Sequence, residues 1–356
     1  MVEAPRPAAF EIFTGARSFA LKGALLPTSA LETLAESRSL EELVNRLKAT
    51  PYTGAASKLQ PPYSARKLEL ALRERLADVH YSLSKTSTDS ELLELYYMRN
   101  TAWNLKIALK AKALEKGYEE TMTYIDLHSE ELLGRRDLIA RVLSSKDLQE
   151  ATGLLMGTEF GKDIAKATAV FATNREARVF DLYVDHSLYS KIAETFSAKS
   201  RSYSRGGIAT VRDMISIDID SYNVLALLRA KLWGIQPSES KALLILPPFN
   251  VSLLRLQKIA NTESVAESVA VLEGTYGISL PTNVGDEAMV SSIEESFSQL
   301  SRRTARRAFL WQGFGLSTVL GLIKLLEFEV LSLASIAFGV EAAIPSKEII
   351  SKIVAI

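Results

Sequence analysis

Proline placement constrains this chain more than any other feature. None of its 11 prolines falls between Tyr63 and Gln236 or between Thr282 and Ile344. A proline inside a helix removes a hydrogen bond and costs about 3 kcal/mol, so long proline-free tracts are open to helices. Inside them the apolar residues recur at helical spacing. Leu68, Leu72, Leu76, Val79 and Leu83 do so in one stretch, and Met214, Ile217, Val224 and Leu228 in another. Alternating runs of strand type are rare. The prolines at 27, 51, 61–62, 237, 247–248, 281 and 345 then mark junctions between helices, and the chain reads as all-α.

Within the helical tracts the sequence repeats itself. Residues 102–117 read AWNLKIALKAKALEKG and residues 221–235 read SYNVLALLRAKLWGI. With Asn223 laid over Asn104, an aromatic precedes each, an aliphatic follows, and Ala-Lys comes seven positions later. A degraded third copy, FEVLSLASIAFGVEAAI at 328–344, puts Ser332 at the Asn position. A second module, a short helix ending in Thr, an aromatic and Gly, begins at Ser39, Asp147 and Ser264. Its endings are Thr50/Tyr52/Gly54, Thr158/Phe160/Gly161 and Thr275/Tyr276/Gly277. A third element lies between the two modules at 65–83, 174–192 and 285–303.

The same order three times gives three similar helical domains, 1–125, 126–238 and 239–356. The period far exceeds the roughly 20–50 residues of solenoid repeats, so each unit is large enough for a small core. Three copies imply an approximately threefold arrangement or a curved row. Asn104 and Asn223 are read as structural, satisfying backbone at a tight helix contact. Acids precede bases along both Asn-bearing stretches, Glu91 and Glu94 before Lys106 to Lys116, and Asp213, Asp218 and Asp220 before Arg229 and Lys231. That order complements the helix dipole. Gly117 and Gly234 fit as helix stops. The third copy lacks the basic end.

Composition narrows the function classes. Of 356 residues 47% are hydrophobic, enough for real cores, and Lys+Arg and Asp+Glu are both 42. Nucleic-acid binders carry a basic excess, so that class is disfavoured. With no cysteine there are no disulfides, thiolate metal sites or cysteine nucleophiles, which suits a reducing cytoplasm. The start, MVEAPRPAAFEIF, has no basic region followed by an apolar run, so no signal peptide is expected. The most membrane-like stretch, 308–323, is 16 residues long and contains Gln312. A span needs roughly 20, so this stretch is expected to be a buried helix.

Reactive chemistry is sparse. GTEFGKD at 157–163 lacks the Gly four residues before its Gly-Lys and has Asp163 where a phosphate loop needs Ser or Thr. His80, His128 and His186 are too scattered for a zinc pair, and His186 is expected on a solvated helix position. Glu119/Glu120, Glu130/Glu131 and Glu294/Glu295 read as ordinary helix surface. No catalytic, cofactor-binding or metal-binding residues are expected. Two basic stretches remain. Lys199, Arg201, Arg205 and Arg212 fall in an acid-free stretch at 197–212, read as a loop, and Arg302, Arg303, Arg306 and Arg307 crowd six helical residues. These eight cations are either solvated faces or docking elements for an acidic partner surface.

ARSFALKGALLP at 16–27 followed by SLEELVNRLKATPY at 39–52 resembles the N-terminal region of the C subunit of archaeal-type rotary ATP synthases, called d in the vacuolar enzyme. FDLYVDHSLYSKIAETF at 180–196 with VRDMISIDIDSYNVLALLRAKLWGI at 211–235 resembles that family's Asp-x-x-Tyr helix and its acidic helix with an Arg-Ala-Lys ending. FEVLSLASIAFGVEAAIPSKEI at 328–349 resembles the final helix pair, with Ser332 where Asn is usual. The resemblance covers nearly the whole chain in order. It implies an all-α fold of three similar domains around a pseudo-threefold axis, forming a funnel. It implies a non-catalytic, peripheral rotor subunit on the cytoplasmic face, without cofactor. The membrane proteolipid ring and the D and F subunits of the central stalk would be its partners, and torque would pass through it. The competing readings are a helical-repeat scaffold unrelated to the ATPase, and a helical enzyme with a polar pocket between units.

Overall fold

A computed structural model describes residues 8–87, 89–199, 207–278, 284–310 and 314–353. Among the described residues every regular element is a helix and there is no strand. Eight helices are of 14 residues or more. They are α1 (Ala8–Gly23), α2 (Ala65–Thr86), α3 (Arg99–Ala113), α4 (Gly161–Asn174), α5 (Val179–Lys199), α6 (Ile208–Leu232), α7 (Asp286–Arg307) and α8 (Leu316–Glu341). The helical spacing read from the sequence is real. Leu68, Leu72, Leu76 and Leu83 of α2 and Met214, Ile217, Val224 and Leu228 of α6 are all buried. Both α6 and α8 are buried on nearly every side, the pattern of helices enclosed by others.

The repeated sequence modules make repeated contacts. Ser39, Asp147 and Ser264 are N-caps, each accepting the backbone N–H of the Glu three residues on. Those glutamates, Glu42, Glu150 and Glu267, accept in turn from the N–H of Arg38, Lys146 and Glu263. One orphan donor of each helix and the N–H just before its cap are thereby satisfied. Thr50 and Thr158 end their modules the same way, each hydroxyl donating to a carbonyl three residues back, at 2.7 Å.

The Asn-bearing helices are alike down to single bonds. The Asn104 amide clamps the backbone of Asp126, donating to its carbonyl at 2.8 Å and accepting its N–H at 2.9 Å. The Asn223 amide clamps Ile245 with bonds of 3.1 and 2.8 Å, again 22 residues on. The lysine of each Ala-Lys pair, Lys112 or Lys231, donates to the carbonyl at the end of a later helix, that of Ser145 or Thr262. Ser332 makes no such clamp, and its hydroxyl bonds the Phe328 carbonyl of its own helix at 2.9 Å.

Each Asn-bearing helix packs on the following stretch of chain, and the third-copy counterpart packs back on the first. Helix α3 packs on α5 and on Arg136–Ser144 and Leu148–Leu155, α6 packs on α7 and Leu253–Asn261, and α8 returns to α2 and Thr28–Ala35. One large core runs through the first two stretches and α8. A smaller one joins Ile217, Val224 and Leu228 of α6 to Leu256, Ile259, Ile293 and Phe297.

Several expectations change. Met98, at φ −61° and ψ −7°, separates α3 from a short helix, Ser90–Tyr97, that carries Glu91 and Glu94. The first Asn-bearing element is thus two helices. Asp218 and Asp220 do not serve the helix dipole, because both are buried mid-helix. Asp220 accepts N–H bonds from Phe249, Asn250 and Val251 and a hydroxyl bond from Tyr276 at 2.6 Å. Helix α3 stops at Glu115, not Gly117. Glu115 has φ 54°, whereas Gly117, at φ −65°, caps the start of the next helix. The membrane-like stretch 308–323 is not one helix, since Ala308 closes α7, a turn follows, and α8 begins at Leu316.

Candidate docking surfaces

Three positions equivalent in the repeat meet inside the molecule. Arg99, Asp218 and Glu327 each stand five residues before the repeat's Asn or Ser, at 104, 223 and 332. The Arg99 guanidinium lies 3.1 Å from the Asp218 carboxylate and 2.7 Å from that of Glu327. Lys324 Nζ adds bonds of 2.6 and 2.7 Å to Asp218, and the Tyr96 hydroxyl donates to it at 2.6 Å. Burial disfavours the charged carboxylate of Asp218. The Lys324 and Arg99 cations outweigh that and hold its carboxyl below the usual range.

Beside this cluster opens a cleft of about 550 Å³ walled by α3, α5, α6 and α7. Ion pairs line it: Lys106–Asp185 at 2.5 Å, Lys110–Asp181 at 2.8 Å and Arg229–Glu294 at 2.7 Å. Lys110 and Arg229 are equivalent in the repeat, six residues after Asn104 and Asn223. The third copy has exposed Phe338 there. The buried indole N–H of Trp103, another lining residue, makes no hydrogen bond.

Lys199 ends α5, Arg212 stands in the first turns of α6, and the 302–307 arginines end α7. Arg212, Arg303, Arg306 and Arg307 are exposed. Arg307 lies 3.9 Å from Asp213, which ties the start of α6 to the end of α7. Lys199 pairs with Glu91. Arg302 turns inward, buried, 3.1 Å from Glu295 and over the Phe328 ring. Arg201 and Arg205 lie outside the described residues.

Two surface assignments are overturned. His186 is not solvated, because its Nδ1 sits 2.6 Å from Asp163 in a half-buried pair between α4 and α5. Glu130 is fully buried, holding Asn104 at 2.8 Å and Thr101 at 3.1 Å. The residues missed by sequence reasoning are Arg99, Asp218, Lys324 and Glu327. The fixed offset from 104, 223 and 332 was the available signal for three of them.

The family model for the ATP synthase (C/AC39) subunit matches residues 15–352. The chain belongs to this family. Among curated relatives, the A-type ATP synthase C subunit of Pyrococcus horikoshii is 26% identical, over 89% of this chain and 82% of the relative. The A-type ATP synthase C subunits of Methanosphaera stadtmanae and Methanocaldococcus jannaschii are each 23% identical, over 95% and 97% of this chain and 86% of either relative. Family members are thus matched almost end to end. Among the described residues no helix is long and apolar enough to cross a membrane.

Proposed function

We propose that this chain is the non-catalytic rotor subunit of an A-type ATP synthase, a socket between the membrane proteolipid ring and the D and F subunits of the central stalk. The observation that carries the reading is the meeting of Arg99, Asp218 and Glu327. In this reading three repeat-equivalent positions converge where three units surround one axis. The handover of contacts from α3 to α6 to α8, and from α8 back to α2, supports the same closed arrangement. In this reading the sequence units 1–125, 126–238 and 239–356 each dock a last long helix on the next. The cleft beside the axis receives the foot of the stalk, and the molecule sits peripherally on the cytoplasmic face.

A torque coupler needs stiffness and polar docking surfaces, and it needs no reactive group. The buried ion cluster and the clamps of Asn104 and Asn223 supply stiffness, and the charged cleft walls supply register. Lys199, Arg201, Arg205, Arg212 and the 302–307 arginines are proposed docking elements, with Arg302 acting from within. The test is affinity capture of the tagged chain from mildly solubilised membranes. Proteolipid and ATPase subunits should co-purify. Exclusively soluble partners would instead support an unrelated scaffold.

A further inference from the structure

Trp103, Tyr222 and Leu331 each stand one residue before the repeat's Asn or Ser, at 104, 223 and 332. They follow Arg99, Asp218 and Glu327 by four residues, one turn along the same faces of α3, α6 and α8. Cavities of about 550, 270 and 210 Å³ meet around these three apolar side chains. Trp103 and Tyr222 line the first, Trp103 and Leu331 the second and Leu331 the third, and Tyr189 of α5 lines all three. The Tyr189 ring lies 5.5 Å from that of Tyr222. Leu331 is 50% exposed, although α8 is otherwise an enclosed helix. An exposed leucine in a concave, aromatic-lined wall marks a binding site.

The charges lining this basin are already spent on one another. Arg73 lies 3.0 Å from Glu69, and the other ionic side chains of the lining belong to the Arg99 cluster or to the three ion pairs of the cleft wall. With Glu69 included, six cations face six anions. A charged occupant would have to shed its water and compete with a pair already made. An uncharged apolar occupant gains burial on Leu331, Trp103 and Tyr189 and breaks no pair.

We propose that the basin holds an uncharged, apolar-tipped end of the central stalk, gripped by a collar of Trp103, Tyr189 and Leu331, while the ion pairs fix the walls. This rests on the rotor reading above and names what the stalk presents to the site.

The purified D–F pair of the same enzyme is titrated onto immobilised full-length chain at low and high salt. Its dissociation constant should change by less than about threefold between about 50 and about 500 mM salt, because no exposed charge pair holds it. Leu331→Asp should weaken binding at least ~tenfold, the scale set by burying one leucine, while thermal unfolding stays unchanged. Leu331→Met, which keeps an apolar side chain, should bind as the parent does. A larger loss with salt would overturn the proposal in favour of ionic docking. Parental affinity in Leu331→Asp would overturn it as well. Either outcome leaves the rotor reading standing, since the D–F pair still binds. No binding by the parent chain at either salt would overturn the rotor reading and this proposal together.

Discussion

Asn104 is fully buried and bonds the Asp126 backbone in both directions as well as Glu130. Truncation to Ala would strand a buried N–H, a carbonyl and a carboxylate oxygen, and open a small cavity. The expected loss is about 2–4 kcal/mol by denaturant unfolding. Asn223→Ala should cost less, because it lacks the third bond. Ser332→Ala should be nearly neutral, since that hydroxyl bonds only its own helix. Equal losses at all three positions would refute the inequivalence of the third copy.

His80 gives a pH prediction. It is buried with Nε2 donating to the Leu93 carbonyl at 2.8 Å, and burial pushes its pKa down to about 3. Between that value and the unfolded pKa of about 6.5 the unfolded chain binds a proton that the fold refuses. Stability is therefore fully present above that window and falls as pH drops through it, by up to about 1.4 kcal/mol per pH unit. His80→Gln keeps a donor for Leu93 and should flatten this part of the profile. The paired asparagines were legible in the sequence because the motif around them recurs. Their partners were not, because nothing local marks a backbone group 22 residues away. Glu130 was misread for the same reason, since one acid of a Glu-Glu pair is buried and only the fold decides which.

At the scale of elements, the helices and their N-caps were the most legible parts. Ser39, Asp147 and Ser264 each precede a Glu at the capping spacing, and proline-free apolar periodicity marks α2 and α6. The C-terminal stops were only half legible. All three Asn-type helices end on a left-handed residue eleven positions after 104, 223 and 332: Glu115 at φ 54°, Gly234 at 66° and Ala343 at 54°. The following N–H closes onto a carbonyl five residues back each time, at 2.8, 2.9 and 2.9 Å. Two of these sites lack the glycine that would announce them. Glu115→Gly should relieve backbone strain and stabilise by about 0.5–1 kcal/mol, and Gly234→Ala should destabilise by about 1 kcal/mol. Thermal unfolding of the two single variants checks the opposite signs. A shift of the same sign in both would contradict a shared left-handed stop.

At the scale of the molecule, the Arg99, Asp218, Lys324 and Glu327 cluster joins parts of the chain separated by 106, 119 and 228 residues. It was illegible as a site because its members are unlike one another, Arg, Asp and Glu at equivalent positions, so no motif repeats. Removing one partner of a buried pair costs about 3–5 kcal/mol, because the other charge stays desolvated. Asp218→Asn should therefore destabilise by that order, stranding the 2% exposed Lys324. Adding Lys324→Met should recover much of the loss, because the double variant strands no ammonium. The depressed carboxyl of Asp218 contributes stability at neutral pH that is lost as pH falls below the unfolded carboxylate range of about 4. Salt should change little, because buried pairs are poorly screened. If the cluster only decorates the cleft, Asp218→Asn will unfold like the parent and the double variant will recover nothing. If it pins three units around one axis, the single variant should unfold in more than one step, and the double variant should restore a single cooperative transition.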